Sequence, residues 1–267
     1  MTGISLHIGI NQVNAEKYPE SYPYLNGAEE DAKSMRLLAI KKGFDAKELI
    51  LGVAAKIDKV TRAIEDIAQE LPEGGLFLLT YSGHGGSLKN PTNDPNDPYF
   101  QTWCLYNGHL VDKKLYSLWG NFRKNTRILV VSDSCYSGSV IKLLERYVHL
   151  INSAKQLQKS WLSKAKSLHS ENTAEKLAEV KAAVILFASS QDSQKSKDSD
   201  PSTGSPNSKF TTALLKVWND GAFTGNHKQF LEAIQAEFND DNHQKPNYFV
   251  TGTYNETFIK KQTPFTI

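Results

Sequence analysis

The sequence predicts an α/β fold, a mainly parallel six-stranded sheet with helices on both faces. Two observations carry this. Six short apolar runs read as buried strands, and helical patterns lie between them, the arrangement that produces a parallel sheet covered on both sides. The composition agrees. The 267 residues are 39% hydrophobic and 22% charged, with 17 Gly and 10 Pro. That profile excludes a wholly disordered chain and allows one domain.

The elements follow in order. Ser5–Ile10 reads as the first strand. Asn26-Gly27-Ala28-Glu29 then reads as an N-cap with Glu at the third helical position. This helix is expected to run to about Lys42, with Ala28, Ala32, Met35 and Leu38 on one face and Gly43 ending it. Glu48–Leu51 is the second strand, and Asp58–Leu71 is an amphipathic helix followed by Pro72. Leu76–Tyr81 is the third strand and Arg127–Ser132 the fourth, preceded by a short helix near Asp112–Phe122. Ala183–Ala188 is the fifth strand, Phe210–Asn219 and Lys228–Asn239 are helices, and Tyr248–Thr253 is the last strand. Between them, Ser87–Pro98 reads as a surface loop, and Thr102–Leu110 as a hairpin signalled by Asn107-Gly108. Ile141–Lys181 is long, Lys-rich and partly helical by pattern, with Ile141, Leu144, Tyr147, Val148 and Ile151 on one stripe. Ser189–Lys209, rich in Ser, Asp and Lys, reads as a mobile loop.

Charge and cysteine content narrow the function. Lys+Arg is 31 and Asp+Glu is 29, a net charge of +2, too balanced to point to nucleic acid. No apolar run reaches the ~20 residues of a membrane span. Met1-Thr2-Gly3-Ile4 shows no signal peptide, and two cysteines, Cys104 and Cys135, point to a reducing cytoplasm rather than a disulfide scaffold.

Two strands end alike. The third is followed by Ser82-Gly83-His84-Gly85-Gly86 and the fourth by Asp133-Ser134-Cys135-Tyr136-Ser137-Gly138. In doubly wound sheets, function collects outside the carboxyl ends of the strands. If these two strands are neighbours, the His84 imidazole and the Cys135 thiol meet there, the pairing that Cys–His nucleophilic catalysis needs. A thiol of pKa about 8.5 becomes the nucleophile as thiolate, and an imidazole can take its proton and later protonate a leaving amine. The backbone N–H groups of Gly85 and Cys135 could form an oxyanion hole. Cys104, inside an expected strand, reads instead as a buried small hydrophobe. His7, His109, His149, His169, His227 and His243 show no metal-ligand spacing, so no zinc is expected.

These two motifs resemble the signatures of caspase-like cysteine peptidases of the metacaspase branch, and more narrowly of the prokaryotic metacaspase-like (orthocaspase) group. The separation of His84 and Cys135 is close to the roughly 50 residues of caspases. The resemblance extends to Leu25–Ala32, Thr102–Tyr106 and Leu110–Asp112, and so covers nearly the whole chain. It implies a caspase-like sandwich over residues 1–267, with a large-subunit-like region to about 150, a connecting segment about 151–181, and a small-subunit-like region about 182–267. The domain is expected to begin at about residue 4 of the chain, so no N-terminal recruitment or death-fold domain is expected. Animal caspases carry Gln-Ala-Cys with Gly two residues on, whereas here Asp133 precedes and Gly138 follows by three, as in metacaspases.

The resemblance also implies a substrate pocket of Asp31, Ser82 and Asp133 that takes Arg or Lys just before the scissile bond. It implies protein substrates, a role in regulated cell death or defence, an activating partner protein, and self-cleavage between the fourth and fifth strands. With a cation-selecting pocket, Lys164 and Lys166 in the polar stretch Ser163–Glu171 are the candidate cut sites. Many metacaspases need calcium held by a run of acids. The corresponding run here is Val111-Asp112-Lys113-Lys114, which lacks most of that charge, so no cofactor is expected. No Asn or Asp is placed by sequence to orient His84, so a dyad is expected rather than a triad. Two other classes stay open. A serine hydrolase would use His84-Gly85-Gly86-Ser87 as its oxyanion loop, but the chain has no Gly-x-Ser-x-Gly elbow. A catalytically silent scaffold of the same fold would typically have lost the Cys or the His, and both are present.

Overall fold

A computed structural model describes residues 1–90, 98–134, 180–190, 197–199, 204–238 and 244–267. Six strands form one sheet: β1 (Gly3–Gly9), β2 (Asp45–Leu51), β3 (Leu76–Ser82), β7 (Arg127–Asp133), β8 (Ala183–Ala188) and β9 (Asn247–Gly252). Their order is β2-β1-β3-β7-β8-β9, parallel throughout except for β9, which runs antiparallel to β8. The helices are α1 (Ala28–Lys41), α2 (Ile57–Glu70), α3 (Asp112–Trp119), α4 (Lys209–Trp218) and α5 (His227–Ala236). A second, antiparallel sheet is made of β4 (Gly85–Lys89), β5 (Tyr99–Leu105) and β6 (Gly108–Val111).

The side chains of each strand divide between two cores. Leu6 and Ile8 of β1, Phe77 and Leu79 of β3 and Val130 of β7 face Val60, Ile64 and Ile67 of α2. Leu76 and Leu78, with Leu129 and Val131, face Leu38 of α1, Phe210 of α4 and Phe230 of α5. Each such fully buried side chain contributes about 1.5–3 kcal/mol, so β3 and β7, buried along their whole length, form a rigid base for whatever stands at their ends. The chain leaves β1 toward β2 on one side and returns to β3 on the other. The β1/β3 junction is therefore the switch point, where a crevice opens beyond the strand ends.

The expected elements are present, with local differences. Ser87–Lys89 is not loop but the end of β4, paired with Tyr99–Gln101. The hairpin turn is Tyr106-Asn107, because Gly108 already pairs with Leu105 as the first residue of β6. Asn26 does not cap α1. The N-cap is Gly27, which makes no side-chain cap, and Asn26 instead binds Asp198. The role of cap passes to Asn11 Oδ1, which accepts from the Glu29 N–H at 3.0 Å. The stretch Ser189–Lys209, expected to be mobile, holds Ser189, Ser190, Asn207 and Ser208 buried, and Ser208 caps α4 through Thr211 N–H. Cys104 is fully buried in the first core, as expected. The expected helical stripe of 141–151 and the residues Lys164 and Lys166 lie outside the described residues, as does Cys135 itself. Among the described residues no helix is long and apolar enough to cross a membrane.

Candidate active site

The two strands that end in the matching motifs, β3 and β7, are neighbours, with Ser82 opposite Asp133. His84 and Cys135 each stand two residues in sequence beyond this matched pair. At the β3 end the chain turns sharply. Gly83 N–H donates to Asp133 C=O at 3.2 Å, and a Cβ on Gly83 would lie 2.7 Å from the Tyr81 hydroxyl. That hydroxyl donates to the His84 carbonyl at 2.7 Å and reaches the Cys104 carbonyl at 3.1 Å. Cys104 N–H also donates to the His84 carbonyl, at 2.9 Å. The His84 backbone is thus fixed by the first core through Tyr81, whose ring stacks on Trp103 with centroids 4.4 Å apart.

The His84 side chain is 8% exposed. Its Nε2 lies 2.7 Å from the Pro23 carbonyl. A carbonyl only accepts, so Nε2 carries the proton, and in the neutral ring Nδ1 keeps its lone pair. Tyr22 packs against the imidazole with centroids 5.0 Å apart. Burial holds the His84 pKa below its ordinary value, opposed by the Pro23 hydrogen bond and the Asp198 carboxylate. A neutral imidazole with one lone pair free is the form that can accept a proton. The group that orients it is a backbone carbonyl, which no reading of side-chain types would find.

At the β7 end, the Ser134 backbone is held on both sides. Its N–H donates to Ser189 Oγ at 3.1 Å, and its carbonyl accepts from the Ser190 hydroxyl at 3.0 Å. The segment after β8 is thereby tied to the residue preceding Cys135.

Below His84 lie two buried carboxylates, Asp31 and Asp133, at 1% and 4% exposure. Asp133 Oδ2 accepts from the hydroxyls of Ser208 and of Thr211, the latter at 3.1 Å. Asp31 Oδ2 accepts from Ser82 Oγ at 2.7 Å, and its Oδ1 accepts from Asn207 Nδ2 and Ser208 N–H, each at 3.0 Å. Burial first, and the Asp133 charge second, push the Asp31 carboxyl up to about 7, against the pull of its three hydrogen bonds. Asn207, Ser208 and Thr211 carry no signal as site residues in the sequence, although a Ser two positions before the expected helix at Phe210 is a cap signal.

A cavity of about 640 Å³ opens over these groups. It is lined by His84, Ser82, Asp133 and Ser208, with Tyr22 and Asp198 on its sides. Asp31, expected in the pocket wall, is not among the lining residues. It sits one layer behind, where Ser82 and the start of α4 cover it. Asp133, by contrast, lines the cavity directly. Glu20 and Lys197 also line it, so charges of both signs face the cavity. The run that would carry a calcium site offers little. The Asp112 carboxylate already accepts from Lys113 N–H at 2.7 Å and Gln101 N–H at 3.3 Å. Lys113 and Lys114 flank it, so among the described residues this stretch does not fit a cation that takes 6–8 oxygen ligands.

The family model described as "Caspase domain" matches residues 10–264. The chain is 35% identical to the protein GSU0716 from Geobacter sulfurreducens, covering 100% of this chain and 99% of that one with a TM-score of 0.77. Caspase-1 from Spodoptera frugiperda superposes with a TM-score of 0.57 over 99% of this chain and 91% of that one at 11% identity, a likeness of fold alone. Among curated relatives, Metacaspase-1A from Aspergillus terreus is 26% identical over 223 residues, 70% of this chain and 54% of that protein. Metacaspase-2 from Trypanosoma brucei brucei is 27% identical over 161 residues, 54% of this chain and 44% of that protein. The chain thus spans about half the length, or less, of these curated relatives.

Proposed function

Because this chain belongs to the caspase domain family, we propose that it is a cysteine endopeptidase that cuts polypeptides after Arg or Lys, with Cys135 as nucleophile and His84 as base and acid. The observation that carries the reading is the pairing of β3 with β7, Ser82 opposite Asp133, because both motif residues follow that matched pair at the same interval. In the proposed reaction the Cys135 thiol gives its proton to His84 Nδ1 while Nε2–H stays on the Pro23 carbonyl. The thiolate attacks the scissile carbonyl carbon, and the oxygen that becomes an anion is held by the N–H groups of Gly85 and Cys135. The C–N bond breaks as Nδ1 returns the proton to the leaving amine, leaving a thioester. Water, deprotonated by Nδ1, then releases the carboxylate and restores the thiol.

Support for the cation preference comes from Asp133 in the cavity wall with Asp31 behind it. The negative charge of this pair attracts guanidinium or ammonium, which favours full ionisation of both groups, and repels the Asp side chain. As a helix-terminus charge alone, Asp31 would contribute ~0.3–1 kcal/mol. That does not account for a carboxylate 1% exposed that joins α1 to the start of α4. No cofactor enters the proposed reaction, and a role in regulated cell death or defence rests on the family resemblance.

The test is kcat/KM on fluorogenic peptides that differ only in the residue before the cut. Arg and Lys peptides should be cleaved and Asp peptides spared. Cys135→Ala and His84→Ala should each lose about a thousandfold or more, because groups that act as a unit fail singly. Efficient cleavage after Asp with none after Arg would overturn the pocket reading. A His84→Ala enzyme that keeps most of its rate would overturn the dyad.

A further inference from the structure

A second cavity, of about 430 Å³, lies beyond the carboxyl ends of β1 and β2. Tyr24 lines both this cavity and the larger one over Asp133, so the two are neighbouring compartments along the same β1–α1 connection. Its walls include Tyr24, Tyr106 and Val53, and Glu29 stands in it. The Glu29 carboxylate accepts no hydrogen bond among the described residues and acts on Lys33, one turn along α1, through its charge alone, while its backbone N–H is held by Asn11 Oδ1. Gly52, at φ +49°, leaves the space in front of it open. A Cβ there would lie 3.1 Å from Glu29 Oε1. Asn11 Nδ2 also reaches the Tyr24 hydroxyl at 3.4 Å, which orients the ring that separates the compartments.

We propose that this cavity is a second specificity subsite that takes a basic side chain of the substrate, its aliphatic stem between Tyr24 and Tyr106 and its cationic head on Glu29. The chemistry excludes the alternatives. A carboxylate repels anions, and one carboxylate among amides and tyrosines is too few ligands for a hard metal ion. Two phenol rings and an open carboxylate match the long alkyl cation of Arg or Lys. The proposal rests on the reading of the larger cavity as the site for the residue before the cut, and it makes doubly basic sequences the preferred substrates.

The experiment is peptide binding to the Cys135→Ala protein, which needs no turnover. One set of eight-residue peptides carries a single Arg. A second set adds another Arg at each of the three positions on either side. One register of the second set should bind about tenfold more tightly than the single-Arg parent, the size of one charge-assisted contact. Glu29→Gln, which keeps the backbone hydrogen bond to Asn11, should remove that increment. The proposal is overturned if no register binds more tightly, or if the increment survives Glu29→Gln. An Asp133→Asn arm separates the two readings. If single-Arg binding is indifferent to Asp133, the pocket reading falls, while the increment from the second Arg still reports on Glu29.

Discussion

Asp31→Asn should stabilise the fold while it weakens the pocket. The substitution keeps the geometry. Asn Oδ1 can accept from Asn207 Nδ2 and Ser208 N–H, and its amide can donate to Ser82 Oγ, so the three contacts of Asp31 persist. What is removed is a carboxyl that burial and Asp133 push from 3.8 up to about 7. A raised acid holds a proton in the native state that the unfolded chain has released. Native stability therefore falls as pH rises from about 4 to 7, and the loss is complete above 7. The full rise corresponds to about 4 kcal/mol. Coupling to Asp133 means the proton belongs to the pair, so the gain expected for Asp31→Asn at pH 8 is about 1–3 kcal/mol. That is on the order of 2–10 °C in Tm for a chain of this size. Thermal and urea unfolding in a Cys135→Ala background at pH 5 and pH 8 would measure it. The gain should be larger at pH 8, and cleavage after Arg should fall in the catalytically intact protein. A variant that is less stable than its parent at pH 8, or a gain that does not grow with pH, would refute the reasoning.

Acid should unfold the protein through its buried histidines. Burial lowers His7 to about 3 and His227 to about 4, so from pH 6.5 downward the unfolded chain binds two protons that the native state refuses. Asp31 opposes them, which leaves about one net proton from these three groups, and His84 and His109, also held below the ordinary value by burial, add to it, so at least about 1.4 kcal/mol is lost per pH unit between 6 and 5. His227→Phe, among Phe187 and Phe258, should flatten that acid limb in an unfolding titration, and an unchanged slope would remove His227 from the account. Incubating wild type beside Cys135→Ala and weighing the fragments should show cleavage after Lys164 or Lys166 in wild type only. A wild-type enzyme that is active and intact would remove self-processing. Cleavage of an Arg peptide should be the same in EDTA and in millimolar calcium, and a calcium requirement would mean that a site exists outside the Asp112 stretch.

The strands were legible because burial on both faces makes β3, β7 and β8 nearly unbroken apolar runs. The start of β2 escapes the pattern because Asp45 and Lys47 are exposed at the sheet edge, where side chains carry no apolar signal. β4 was missed since Gly85-Gly86-Ser87 lacks the residues that mark strands, yet β5 supplies its partner. Within the site, His84, Asp133 and Ser82 can be named from the sequence because motif and strand end coincide, and all three line the larger cavity. Pro23 was out of reach because its contribution is a carbonyl oxygen. Asn207 and Ser208 have the look of loop residues because polar side chains look solvated until tertiary contacts bury them, here against Asp31 and Asp133. Asp31 was identified, but its place behind the cavity wall depends on how α1 meets α4, which no local pattern encodes.

The most direct test of the account is the intact mass and peptide map of the protein after exposure to an arginine-based peptidyl acyloxymethyl ketone, which alkylates an activated thiolate. One inhibitor equivalent on Cys135, lost in Cys135→Ala, strongly slowed in His84→Ala and absent with the aspartate-based analogue, is the predicted result. Label on a serine or on Cys104, or a folded wild-type protein that takes no label, would contradict it.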